Sequence, residues 1–212
     1  KNKNYKQEAD FVYKWANKPK TILELGCGMG GHAKYWSKSA KIMGVDKSAD
    51  MIKQAYRHKN ITYINQDIIT FLDEWCREAS PIPVTFDCIT AMFNVVGYTP
   101  LQEIMPLLPL ENGQYFIFDT WDASKFDKQP PEPKVKYFDR FYRVSIPEKI
   151  TDRLLRIDFI IVDLDKIVAF ERHFVQGYFK KDIDSLCKKY DYRIVKIKTT
   201  QTWVVWYKLQ KI

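Results

Sequence analysis

Apolar positions recur along this chain in two rhythms, and the switching between them sets the expected architecture. Over 5–15, Ala9, Val12 and Tyr13 fall on one side of a helix, and Ala16 continues the stripe. The run 21–25 is short, apolar and extended. It ends in glycines at Gly26, Gly28, Gly30 and Gly31, and a helix-like stretch over 32–39 follows. The order then repeats. A strand over 41–45 closes on Asp46, and Ser48 caps a helix reaching 57, with Met51, Ile52, Ala55 and Tyr56 inward. A strand over 61–65 leads through Asp67 into a helix over 70–78, and Pro81 and Pro83 mark a loop. The near-continuous apolar run 86–93 is what a strand buried on both faces requires. Thr99 and Pro100 open another helix, and 113–120 is a fifth strand.

That alternation of strand and helix predicts a doubly wound α/β domain with a parallel sheet. It breaks after 129–133, which holds three prolines. The runs 134–146, 154–164 and 167–178 have β character with no helices between them, so they should pair antiparallel. A helix over 180–189 and two closing strands, 192–198 and 202–209, complete the reading.

Composition narrows the class without choosing a function. With 212 residues, 46% hydrophobic and 15% aromatic, the chain suits one globular domain, taken as 1–212 with 134–178 inserted in it. No apolar run approaches the roughly 20 residues that span a bilayer, so no membrane partner is expected. The chain opens on Lys1 rather than Met, so an upstream piece is expected. Four scattered cysteines and three histidines argue against a disulfide framework or a metal site and favour a reduced, cytoplasmic setting. The net charge of +8 is spread in ones and twos between acids, which reads as a solvated surface rather than a nucleic-acid footprint. That charge suits an anionic small substrate.

The glycine turn fits two templates. Gly26, Gly28 and Gly31 satisfy the dinucleotide pattern G-x-G-x-x-G, with Asp46 about twenty residues on. Gly26, Gly28 and Gly30 equally satisfy the E-x-G-x-G-x-G pattern of S-adenosylmethionine-dependent methyltransferases. Charge discriminates between them. Glu24 is an unwelcome neighbour for a pyrophosphate and a welcome one for an ammonium and a sulfonium. Asp67, past the third strand, suits an adenine amino group, and the closing strand pair matches the methyltransferase ending.

The segments ILELGCGMGGH, GVDKSADMI, NQDI, FDCITAMFNVVGYT and GQYFIFDTW resemble a class I S-adenosylmethionine methyltransferase. More closely, the chain resembles the N-methyltransferases that dimethylate nucleotide-linked amino sugars, such as those making desosamine and mycaminose. KNKNYKQEADF, MFNVVGY and ERHFVQGYF carry that narrower likeness. It implies a Rossmann-like fold whose seven-stranded sheet is mostly parallel with the last strand antiparallel. A small antiparallel sheet would roof the active site.

The resemblance also implies roles. Gly26, Gly28 and Gly30 would bend round the methionine part of the cofactor. Asp46 would take the ribose hydroxyls, Asp67 the adenine edge, and Met92 would lie beside the cofactor, with Glu24, Lys47, Met51 and Ile68 completing the set. Related enzymes place a tyrosine over the active site, at Tyr5 here. Where they carry Pro-Trp-Trp after strand five, this chain has Thr120, Trp121 and Asp122. The acceptor side is expected at Tyr5, Asn94, Tyr98, Trp121, Arg172 and His173, with Tyr98, His173 and Tyr5 the catalytic candidates. Alternation sets His173 with Glu171 and Val175, opposite Arg172 and Phe174. His32 and His58 read as surface helix residues.

The expected reaction is methyl transfer to an amine of a small polar acceptor, an anionic nucleotide-linked amino sugar, by a monomer or homodimer. O-methylation of a sugar, an RNA or protein methyltransferase, and a non-catalytic cofactor-binding module are the alternatives.

Overall fold

A computed structural model describes residues 4–77, 85–126, 132–164, 166–199 and 203–212. The 129–133 proline segment falls mostly outside them, as do Pro81 and Pro83. Helix α1 (Tyr5–Trp15) precedes β1 (Thr21–Leu25), α2 (Ala33–Trp36), β2 (Lys41–Asp46), α3 (Ala49–Lys53), β3 (Ile61–Asn65) and α4 (Ile68–Arg77). Then come β4 (Cys88–Ala91), α5 (Val95–Tyr98), α6 (Leu101–Ile104) and β5 (Tyr115–Trp121). Four strands follow, β6 (Lys134–Tyr137), β7 (Phe141–Lys149), β8 (Leu154–Asp163) and β9 (Lys166–Gln176). Helix α7 (Lys180–Lys189), β10 (Tyr192–Thr199) and β11 (Val204–Lys211) close the chain.

The main sheet runs β10-β11-β5-β4-β1-β2-β3. Strands β1 to β5 pair parallel, and β11 lies antiparallel between β5 and β10. Successive residues explain why the central strands read as near-continuous apolar runs. Ile22, Cys88, Ile117 and Trp206 pack on one face against Ala9 and Val12 of α1 and Ala33 and Trp36 of α2. Leu23, Ile89, Phe116 and Tyr207 pack on the other against Phe71 and Leu72 of α4 and Ile183 of α7. Both faces are covered, as a parallel sheet demands.

The second sheet, in the order β6-β7-β8-β9, is antiparallel throughout and lies in sequence between β5 and α7. It joins the first through the bridge between Asp122 and Tyr178. The Tyr178 hydroxyl donates to Val96 O at 3.2 Å and accepts from Leu101 N at 2.8 Å, so the root of the second sheet holds α5 and α6.

Several expectations need correction. The apolar run expected as one strand over 86–93 stops at Ala91, because Phe93 (φ +70°) and Asn94 (φ +56°) turn left-handed. The helix expected over 32–39 is one turn, ended where Ser39 N and Ala40 N both donate to Trp36 O. Ser48 does cap α3, accepting from Met51 N at 3.3 Å, but the helix ends at Lys53 instead of 57. So short a helix buries little, and Met51 and Tyr56 point outward. The run 134–146 divides at a turn where Phe138 N donates to Phe141 O. His32 is buried, not a surface residue, and half-buried His58 lies beyond α3 in a loop.

Candidate active site

The sheet places its chemistry at the carboxyl ends of β1, β2 and β4, where the strand order reverses, between β1 and β4. A cavity of about 240 Å³ opens there. Gly26, Asp46, Lys47, Asp67 and Ile68 line one part, and Met92, Phe93, Val95, Tyr98 and Thr99 the other.

The glycine turn is shaped by close approach. Gly26 sits at φ +67°, and a Cβ there would meet Val95 Cγ2 at 2.4 Å. Gly28 sits at φ +53° with nothing within 4 Å of a Cβ position, so its backbone faces open space. Asp46 ties this turn to the next strand. Its Oδ2 accepts from Gly28 N at 2.8 Å and its Oδ1 from Ser48 N at 2.9 Å. A carboxylate has about four acceptor positions, so each oxygen retains one. Asp67, an exposed residue, accepts through Oδ1 from Ile69 N at 2.9 Å and Thr70 N at 3.3 Å, which caps α4. Cys27 lies in the turn, but burial beside Glu24 and Asp46 pushes its thiol far up, so it is no nucleophile.

The opposite wall depends on Asp119, a buried acid within β5. Its carboxylate accepts from Phe93 N and from Asn94 N, at 3.2 Å for the latter, and so holds the two left-handed residues. Phe93 is thereby turned out, 67% exposed, at the edge of the cavity. Among the expected acceptor residues, Asn94 is buried and accepts from Trp121 N at 3.3 Å. Trp121 packs with Trp203 beside Ala123, Phe126 and Leu155. Neither lines the cavity.

Tyr98 does, and it meets the second sheet. Its ring stands edge-on to His173 at 5.8 Å, and His173 stands edge-on to Phe159 at 5.1 Å. The Arg143 guanidinium lies over Phe159 at 4.8 Å. The β7–β8–β9 register puts Arg143, Phe159 and His173 on one face. Arg172 is on the other, in a two-point ion pair with Asp158 at 2.8 and 3.0 Å. Tyr5 packs edge-on against His32 at 5.1 Å and lies against Gly31. Phe93, Val95, Thr99, Asp119 and Arg143 were not singled out in the sequence. A lone acid inside the apolar run of strand five was the available signal for Asp119.

Residues 22–109 match a family model described as a methyltransferase domain. No curated protein matches the sequence. Among solved structures, an S-adenosylmethionine-dependent methyltransferase from Clostridium acetobutylicum superposes with a TM-score of 0.77 at 21% identity, covering 99% of this chain and 93% of that one. The chain has the fold of the class I S-adenosylmethionine-dependent methyltransferases. An amino pentose methyltransferase of calicheamicin biosynthesis from Micromonospora echinaspora, CalS10, gives 0.73 at 16% identity, over 98% and 92% of the two chains. The sugar N-methyltransferase KedS8 from a Streptoalloteichus species gives 0.74 at 14%, over 99% and 89%.

The residues at the ends of the central strands fit the cofactor of that fold, S-adenosylmethionine. Glu24 is 1% exposed, and its Oε2 has no hydrogen-bond partner among the described residues. A buried carboxylate oxygen in that state is stabilised by a cation or donor. Glu24 and the open backbone of Gly28 suit the amino-acid end, while Asp46 and Asp67 keep acceptors for hydroxyls and an amino group. Met51, expected beside the cofactor, is exposed and does not line the cavity.

Proposed function

We propose that this methyltransferase methylates an amine of a small polar acceptor, a nucleotide-linked amino sugar. The observation that carries the reading is the edge-on contact between Tyr98, which lines the cavity from the end of α5, and His173 of the second sheet. S-adenosylmethionine supplies a methyl carbon on a positively charged sulfur that departs as a neutral thioether. The chain then has only to orient a neutral amine and exclude water, and orientation can contribute roughly 7–11 kcal/mol.

The two side chains suit different tasks. Burial pushes the Tyr98 phenol up, with Arg143 opposing, so it stays protonated near neutral pH and serves as a hydrogen-bond donor rather than a base. His173 Nε2 lies 3.2 Å from Glu171 Oε2. The carboxylate accepts from Nε2–H, which leaves Nδ1 with the lone pair to take the amine's proton. Arg143 and Lys47 supply positive charge for an anionic acceptor, and the likeness to amino-sugar methyltransferases supports the sugar class.

Incubation with methyl-labelled S-adenosylmethionine and matched amino and hydroxy nucleotide sugars tests this. Label is expected in the amino sugars alone. Transfer only to hydroxyl acceptors would replace N-methylation with O-methylation.

A further inference from the structure

The sequence makes His32 look like a surface residue, yet it is 4% exposed and sits between two acids. Its Nδ1 lies 3.1 Å from Glu24 Oε1 at the end of β1, and its Nε2 lies 3.0 Å from Glu8 Oε2 on α1. Carboxylates only accept, so both contacts are hydrogen bonds only if both ring nitrogens carry protons. A neutral ring would set one lone pair against a carboxylate oxygen. With both carboxylates ionised, an imidazolium satisfies both contacts.

The packing fixes that ring in place. Trp36 stacks on it at 5.5 Å, Tyr5 meets it edge-on at 5.1 Å, and Trp36 Nε1 donates to Ala9 O at 2.9 Å. Tyr5 also covers Gly31, where a Cβ would lie 2.4 Å from its ring. Among the described residues, Glu24 is thus held at Oε1 alone, while its buried Oε2 has no hydrogen-bond partner.

We propose that His32 is a positioning residue, which through Glu8 fixes Glu24 so that its unpartnered oxygen meets the ammonium of the cofactor. The N-terminal helix is then part of the cofactor site although it does not line the cavity. Glu8 contributes through His32.

The test compares two ligands by calorimetry and needs no acceptor, so its outcome is independent of the proposed substrate. S-adenosylhomocysteine has the ammonium, and methylthioadenosine shares the adenosine but lacks the amino-acid end. In His32→Asn, too short to reach both acids, the Kd for S-adenosylhomocysteine should rise about tenfold, the scale of one charge-assisted hydrogen bond. The Kd for methylthioadenosine should stay within about twofold. Glu8→Gln, on the more exposed side of the cluster, should show the same selective loss at about threefold, and it carries the test if His32→Asn fails to fold. Equal weakening of both ligands, or no weakening of either, overturns the proposal.

Discussion

Gly28 offers a substitution whose effects on stability and on binding separate. At φ +53° an alanine must occupy the left-handed region, which costs about 1–2 kcal/mol. No atom lies within 4 Å of the added Cβ, so no collision adds to this in the free protein. For a chain of this length each kcal/mol lowers Tm by about 2–4 °C, and Gly28→Ala should melt only a few degrees lower. The binding effect is larger. The new methyl fills the open space over the turn, and strain at Gly28 pulls on the Asp46 carboxylate that its N–H holds. Calorimetric titration with S-adenosylhomocysteine should show a Kd raised at least about tenfold, or 1.4 kcal/mol. Gly26→Ala is the control. Its Cβ meets Val95 Cγ2 at 2.4 Å, so overpacking adds about 1–3 kcal/mol to the same backbone strain. Wild-type affinity in Gly28→Ala, or a Gly26→Ala no less stable than it, would refute the reasoning.

Other consequences can be measured with the same protein. Asp67→Ala removes the cap of α4 and should lose about 0.5–2 kcal/mol in urea unfolding, whereas Asp67→Ser should keep most of that stability and still bind adenosine weakly. Asp119→Asn replaces a charged acceptor of the Phe93 and Asn94 N–H groups and should cost about 1–3 kcal/mol, with weaker cofactor binding as the Phe93 wall loosens. His173→Asn should lower kcat by about 10²-fold or less, since solvent can replace a base here, and Tyr98→Phe should raise KM for the acceptor more than it changes the pH profile. Arg172→Gln should leave acceptor KM unchanged, because that side chain faces away from His173. Its hydrogen bond holds the Asp158 carboxyl below the usual range. The stability this gives is present above the ordinary carboxylate pKa and fades as pH falls through the lowered one, so Arg172→Gln should flatten stability against pH only below about pH 4.

The parallel core was legible because Ile22, Leu23 and Leu25 and the runs of β4 and β5 are near-continuously apolar, as strands buried on both faces require. The clustering of acids was legible too, since Glu24, Asp46 and Asp67 stand at or just past strand ends, and Asp46 and Asp67 do line the cavity. Residues whose role depends on tertiary contact were hidden. His32 follows four glycines and reads as solvent-facing until α1 folds over it, and a four-residue helix gives no periodic signal for burial. The left-handed pair Phe93 and Asn94 carries no glycine to announce a turn, and only the distant Asp119 explains it. Asn94 and Trp121, expected on the acceptor side, join β5 to the loop after β4, where Asn94 Oδ1 accepts from Trp121 N.

The central claim is the nucleophile, and the most direct measurement is the position of the transferred carbon. With S-adenosylmethionine carrying a 13C methyl and a nucleotide-linked amino sugar that also bears free hydroxyls, NMR of the product distinguishes N-methyl from O-methyl carbon. The account predicts signal on nitrogen alone, and a product labelled only on oxygen would contradict it.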